Sequence, residues 1–495
     1  MEKLARDLRF RRTGSDPGWY WLGQFRQALP YYPRLAKAIT PSRLGYIMCF
    51  KEKFVSHKWE LLNNISTISP LILLRHCSRM NPPRYSLAER DRRWELARNF
   101  MSEHDVDALI VFGEHEDSGP APYNLDNWFT NARPGAVVVF PRTSVPYMLT
   151  ILPSSIPDHW FALARGETPW IAAENLVVGR DTATVTNILA EHGLTERKIG
   201  VLGLEPFIPV HFDGIMPFNL WTSILAAFPN ASFKSVGTEF SKMTMSLSEE
   251  EAEVLKHAAS IGDSMAQAMI QAARPGARES DVVKAGIAAA IDKGTSAPMI
   301  HIGSGPDAIN FGPAAWTFSP QSEPRTLQAG DVVSTEIFAN YGMRSSQQQL
   351  TIAVGKVHED VERAALVARA SYQAGLKAMR PGTRFGDIAE AMLVPLREAG
   401  AWSKGPQIHS LNPILAICSC DVDLGQVGIS NKYRLNWTLP ILADDMILKP
   451  GMSFALEPSS FFGSRGVCIG GTVLLGEDGP IELNPDLAHL VRVDC

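Results

Sequence analysis

Six cysteines in 495 residues, at 49, 77, 418, 420, 468 and 495, are too few and too irregularly spaced for a disulfide framework or a paired-cysteine zinc site. Their scarcity suits a reducing, intracellular setting, and a cytoplasmic location is the expectation. Apolar runs stop short of the roughly 20 residues that span a bilayer, so no membrane segment is predicted. An excess of basic charge is also missing. With a formal net charge of -5 the chain offers no field for nucleic acid, and the expected partner is a small molecule.

What is present is ordinary globular composition, 45% hydrophobic and 20% charged, in a chain too long for one average domain. Charge divides the chain unevenly. Residues 1–80 hold 14 Lys/Arg against 5 Asp/Glu, and the remainder is net acidic. This basic segment has no compact apolar core of a signal peptide. Three readings stay open for it: an Arg-rich targeting arm, a loosely packed extension, or a start placed ahead of a core that opens near Met80.

From residue 81 helix and strand signals alternate. "SLAERDRRWELARNFMSEHDV" spaces Leu87, Trp94, Leu96 and Phe100 as a helix face, and "DALIVF", "GAVVVFP", "VPYMLTIL" and "KIGVLGL" read as strands. An α/β domain over 81–240 is predicted. Beyond it, Ser248 and Glu251 form a capping-box signature, and Val254, Ala258, Ile261, Met265 and Met269 line one helical face. The helix stops at Arg274-Pro275-Gly276, and a second helix follows. That pattern returns at Arg380-Pro381-Gly382, an internal repeat with a spacing of about one hundred residues. Residues 241–495 therefore read as two similar halves, each a helix pair backed by antiparallel sheet, whose free sheet faces form a concave floor.

Polar residues on the floor strands are the candidate site. The hairpin "AGDVVSTEIFANYGMRSSQQQLTIAVG" carries Glu336 on one strand with Gln347 and Gln349 alternating on the other. His409 lies in "GPQIHSLN" and Glu457 ends "LKPGMSFALEP". Two carboxylates and an imidazole suit proton transfer. His301, in "MIHIGSGPDAINFG", is a further proton carrier or substrate contact, and Arg344 and Tyr341 on the hairpin turn are candidate contacts for a substrate carboxylate. Cys418 and Cys420 alternate too closely for a tetrahedral zinc motif.

The blocks "RDRRWELARNFMSEHDVDALIV", "SLSEEEAEVLKHAASIGDSMAQAM", "LQAGDVVSTEIFANYG", "LKPGMSFALEP" and "GVCIGGTVLLGEDGPIELN" resemble, in order, those of the creatinase and aminopeptidase P superfamily, the peptidase M24-like or pita-bread proteins. The resemblance implies an α+β pita-bread catalytic domain behind a creatinase-like α/β N-terminal domain, and a homodimer. It also implies five metal-ligand positions, which fall here on Glu336, Gln347, His409, Glu457 and Gly470. Histidines usual in the family fall on Gly312 and Ala416. Two of the five positions have lost their charge, and two divalent ions a few ångströms apart need anions between them.

The expectation is therefore a metal-independent hydrolase or lyase of creatinase type, acting at a C–N or similar bond of a small polar molecule. Glu336, His409 and Glu457 would be catalytic, with Gln347 and Gln349 orienting substrate. No cofactor is expected, or at most one divalent ion on Glu336, His409 and Glu457. Creatine itself is not the expected substrate, because creatinase's guanidinium-gripping Glu aligns with Gln349 and its catalytic His with Gly312. Two alternatives remain: a metal-dependent Xaa-Pro aminopeptidase or dipeptidase-like peptidase, and a non-catalytic pita-bread binding protein.

Overall fold

A computed structural model describes residues 82–494 except 115–123, 152, 207–212, 296–298, 308–311, 420–421, 424 and 429–440. The chain divides into two units, Met1–Asn81 and Pro82–Cys495, and every described element lies in the second. The basic segment 1–80, Cys420 and most of the connector before residue 441 lie outside the described residues.

The first layer opens with α1 (Leu87–Glu103), capped by the Ser86 hydroxyl, which accepts from Glu89 N. Its buried stripe runs through Glu89, Arg93, Trp94, Ala97, Phe100 and Met101, whereas Leu87 is exposed. The expected apolar face is thus rotated to include a charged pair. Arg93 is buried because its guanidinium lies over the Tyr85, Trp128 and Trp170 rings, at 4.3, 5.6 and 5.1 Å, and pairs with Glu89 and Glu251. Next come β1 (Ala108–Phe112), α2 (Leu125–Thr130), β2 (Val137–Pro141), β3 (Tyr147–Thr150), β4 (Leu176–Val178), β5 (Lys198–Leu202) and β6 (Ser232–Ser235). They form a six-stranded sheet in the order β4-β3-β2-β1-β5-β6. β1, "ALIVF", is buried along its whole length because separate apolar clusters cover both faces of the sheet.

The second layer begins at α3 (Glu249–Ala272), whose capping box pairs Ser248 with Glu251 as expected. α4 (Glu279–Asp292) follows, then β7 (Met299–Gly305), β8 (Gly312–Pro313), β9 (Val332–Tyr341) and β10 (Arg344–Val354). The other half has α5 (Glu359–Ala378), α6 (Phe385–Ala399), β11 (Ile408–Leu411), β12 (Ser453–Leu456), the β13–β14 ribbon (Ser459–Phe462, Arg465–Cys468), β15 (Gly471–Leu475) and β16 (Pro480–Glu482); β17 (Val491–Val493) returns to the first half. The sheets run β17-β10-β9-β7-β8 and β11-β12-β15-β16.

The internal repeat has a local cause. In both Arg-Pro-Gly turns the arginine folds back onto the helix end: Arg274 Nη1 donates to Ile270 O and Ala273 O at 2.7 and 2.8 Å, and Arg380 Nη1 to Leu376 O and Met379 O at 3.0 and 2.6 Å. The arginine caps the carbonyls that the helix leaves unpaired. Proline forbids continuation, and the glycines adopt φ of +89° and +88°. Each glycine N–H then donates at 2.9 Å to the other side of its half, Gly276 to Leu327 O and Gly382 to Leu448 O.

Candidate active site

Strand alternation places Glu336, Phe338 and Asn340 of β9 on one face with Gln349, Gln347 and Ser345 of β10, since these are the cross-strand partners of the antiparallel ladder. Gln348 faces the other way, donating to Ser346 Oγ and Asn484 Oδ1, with Gly262 of α3 against it because a Cβ there would meet its amide at 2.3 Å. The three consecutive glutamines thus have two environments, and only two of them reach the concave floor.

The two halves are stitched along that floor. Gln349 N donates to Gly470 O at 3.0 Å and Gln347 N to Thr472 Oγ1 at 2.9 Å, which brings Glu457, just past β12, opposite the hairpin. Both glutamine amides then bridge the two carboxylates. Gln347 Nε2 lies 2.5 Å from Glu336 Oε1 and 2.8 Å from Glu457 Oε2; Gln349 Nε2 lies 2.8 and 2.6 Å from the same two atoms. Glu336 Oε2 accepts from His301 Nδ1 at 2.7 Å, so Glu336 meets three donors.

His409 is oriented by its own strand. Its Nδ1 lies 2.9 Å from the Ser410 carbonyl, which can only accept, so Nδ1 carries a proton and Nε2 faces Glu457 Oε1 at 3.2 Å. Burial opposes a charged imidazole, but the Glu457 carboxylate and the Ser410 carbonyl outweigh it and draw the His409 pKa above its ordinary value. Burial raises Glu457, with the Glu336 charge adding to the rise and His409 opposing it. The two directions are those of a coupled acid–base pair.

Six of the eight candidate residues therefore meet: Glu336, Gln347, Gln349, His301, His409 and Glu457. Arg344 and Tyr341 do not, and the expectation that they contact a substrate carboxylate is corrected. The Arg344 guanidinium is committed to Glu251 at 2.5 Å, and the Tyr341 hydroxyl donates to Pro83 O at 3.3 Å while its ring packs on His257. Both side chains alternate away from the floor, as their positions beside Asn340 and Ser345 require.

Sequence reasoning missed Lys404. Its terminal nitrogen is sealed from solvent 5.4 Å from the centre of the Phe461 ring, and burial pushes its pKa down to about 8 against the opposing Cys468 and Glu336. "WSKGP" carries no periodicity that would reveal this. It also missed Asn340 and Ser345, which the same alternation that selected Gln347 and Gln349 would have found.

Residues 253–477 match the model of Metallopeptidase family M24. The solved dipeptidase PepE of Mycobacterium ulcerans superposes with a TM-score of 0.60 at 19% identity, covering 83% of this chain and all of that one (100%). A Xaa-Pro dipeptidase from Bacillus anthracis gives 0.60 at 17% identity over 82% of this chain and 100% of its own. The chain belongs to the M24-like, pita-bread superfamily. A curated relative, "Probable dipeptidase PepE" of Mycobacterium bovis, is 25% identical over 248 residues, 49% of this chain. The match spans 59% of that relative's length. The α+β fold of this pita-bread chain is the expected one, and its hairpin, His409 strand and Glu457 strand all lie within the matched segment.

Proposed function

We propose that this M24-like chain is a peptidase-type hydrolase that cleaves the C–N bond of a small, dipeptide-sized amide by acid–base chemistry. The dipeptidase names of its relatives favour peptide hydrolysis over a creatinase-type lyase, and that part of the sequence reading is revised accordingly. The observation that carries the chemistry is the contact of His409 Nε2 with Glu457 Oε1, 3.2 Å apart in a buried pair. A water entering beside the pair would give up its proton to it as it attacks the carbonyl, and the departing amine would take the proton back. Glu336, oriented by His301, would hold the substrate's amide N–H.

The family description implies a metal, and the donor set argues against a pair of ions. Of the five ligand positions, Gln347 is neutral and directs its N–H groups at the carboxylates that would bind cations. Gly470 supplies no ligand, and no side chain fits there: its φ is +125° and a Cβ would lie 2.0 Å from Leu456 O. Among the described residues no three His, Cys, Asp or Glu side chains converge as a metal group. A second reading, favoured by the family description, is one divalent ion on Glu336, His409 and Glu457, which requires both amides to turn their nitrogens away. Metal analysis after dialysis, together with hydrolysis of a dipeptide panel by the wild type and Glu457→Gln, tests both. Ion-free turnover lost in the variant supports the proposal; two stoichiometric ions, or undiminished turnover in the variant, overturn it.

A further inference from the structure

Among the described residues, two polar atoms on one face of the hairpin are sealed from solvent and lack a hydrogen-bond partner: Asn340 Oδ1 and Ser345 Oγ. Both residues line one cavity of about 70 Å³, whose walls include Trp128, Phe338 and Gln347. A single water needs only about 10–15 Å³, so the space admits a group of several heavy atoms. Buried polar atoms without partners are exceptions in folded proteins and call for one. Here they gather around a hollow that adjoins the acid cluster.

The ladder explains the placement. Glu336 and Gln349 form one rung of the floor, Phe338 and Gln347 the next, and Asn340 and Ser345 the third. Successive same-face rungs are about 7 Å apart, close to two residues of extended chain. Gln347, whose amide touches both carboxylates, thus stands about one dipeptide length from the orphaned atoms. Asn412 holds the third rung rigid, its Oδ1 accepting from Ser345 N at 2.8 Å and its Nδ2 donating to Ser345 O at 3.0 Å.

Charge decides the ligand. Among the described lining residues the one formally charged side chain is Arg344, and Glu251 already compensates it at 2.5 Å. An ammonium or carboxylate entering the cavity would lose its water without meeting an opposite charge, whereas an uncharged amide would satisfy the Asn340 carbonyl and the Ser345 hydroxyl. We infer that this cavity receives an uncharged, hydrogen-bonding end group of the ligand, an acylated amine or a carboxamide, so that the chain prefers end-blocked dipeptides to free zwitterionic ones. This specificity rests on the hydrolase reading for turnover, but not for binding.

The test is calorimetric titration of the full-length Glu457→Gln protein, which keeps ligands intact, with N-acetyl-Ala-Ala-amide and with free Ala-Ala. The blocked compound is expected to bind at least about tenfold more tightly. Ser345→Ala and Asn340→Ser should each weaken it about fivefold, the effect of one hydrogen bond, with the weak binding of the free dipeptide unchanged. Ser345→Ala keeps both main-chain bonds to Asn412, so a folded variant is available. Equal or tighter binding of the free dipeptide, no binding of either, or unchanged affinity in both variants overturns the assignment. Tight binding of the blocked dipeptide that wild-type protein does not cleave leaves the cavity assignment standing and sinks the hydrolase reading alone.

Discussion

Glu336 and Glu457 come from opposite halves of the second layer, and both accept from the same two glutamine amides, at 2.5 to 2.8 Å. Amide hydrogens occupy the space between two carboxylates, where a cation is the other arrangement that would keep them together. The site's behaviour toward metals, substitutions and acid follows from that contact.

Glu457→Gln keeps the size of the side chain and removes the carboxylate that faces His409 Nε2. Turnover should fall by about 10²- to 10⁴-fold, the usual share of a positioned acid–base group, while the melting temperature changes little. Steady-state kinetics on a dipeptide panel, beside a thermal melt, checks both; an unchanged kcat would remove Glu457 from the chemistry.

Gln347→Glu restores a charge without changing the side chain's length. Three carboxylates would then converge with fewer donors between them, so the variant should melt lower than wild type at neutral pH, and added Mn²⁺ or Zn²⁺ should recover most of the loss. Wild-type protein should melt at the same temperature with and without a chelator. A variant indifferent to divalent ions would contradict the cation-replacing role of the amide.

At Gly470 even a methyl group meets backbone: a Cβ would lie 2.0 Å from Leu456 O, and φ is +125°. Gly470→Ala should cost at least about 2 kcal/mol of stability by urea denaturation. Little or no loss would show that the strand can relax and that a side-chain ligand is sterically possible there.

Glu251 joins the two layers from the start of α3. Burial alone would raise its pKa, but the Arg344 and Arg93 guanidiniums and the Ser248 N–H outweigh burial and lower it to about 2 from an ordinary 4.5. Because the folded value is depressed, its contribution to stability is complete above about pH 4.5 and is lost as pH falls toward about 2. Glu251→Gln should flatten that part of the acid limb and cost about 3–5 kcal/mol at pH 7, since Arg93 and Arg344 would remain buried without their counter-ion. Denaturant melts from pH 2 to 7 measure both effects; an acid limb parallel to wild type would rule out this linkage.

Much of the architecture was legible because it is local. The capping box at Ser248, the two Arg-Pro-Gly turns and the alternation of Glu336 with Phe338 and Asn340 all depend on neighbours within a few residues. Alternation also carried Gln347 and Gln349 to the same face as Glu336. The turn misled at Arg344 and Tyr341: a hairpin turn reads as exposed, whereas the protein packs the arginine beneath α3 and holds the tyrosine hydroxyl at Pro83.

By itself, then, the sequence determined the strand faces, the helix ends and the repeat, since each follows from backbone geometry and side-chain period over short spans. Only the tertiary structure decided that Glu457 meets the hairpin, that Lys404 is sealed beside Phe461, and that the Asn340 and Ser345 side chains line one cavity. Those facts join residues a hundred or more positions apart, or expose groups to one another by excluding water. Neither distance across the fold nor the removal of solvent is written in any local pattern.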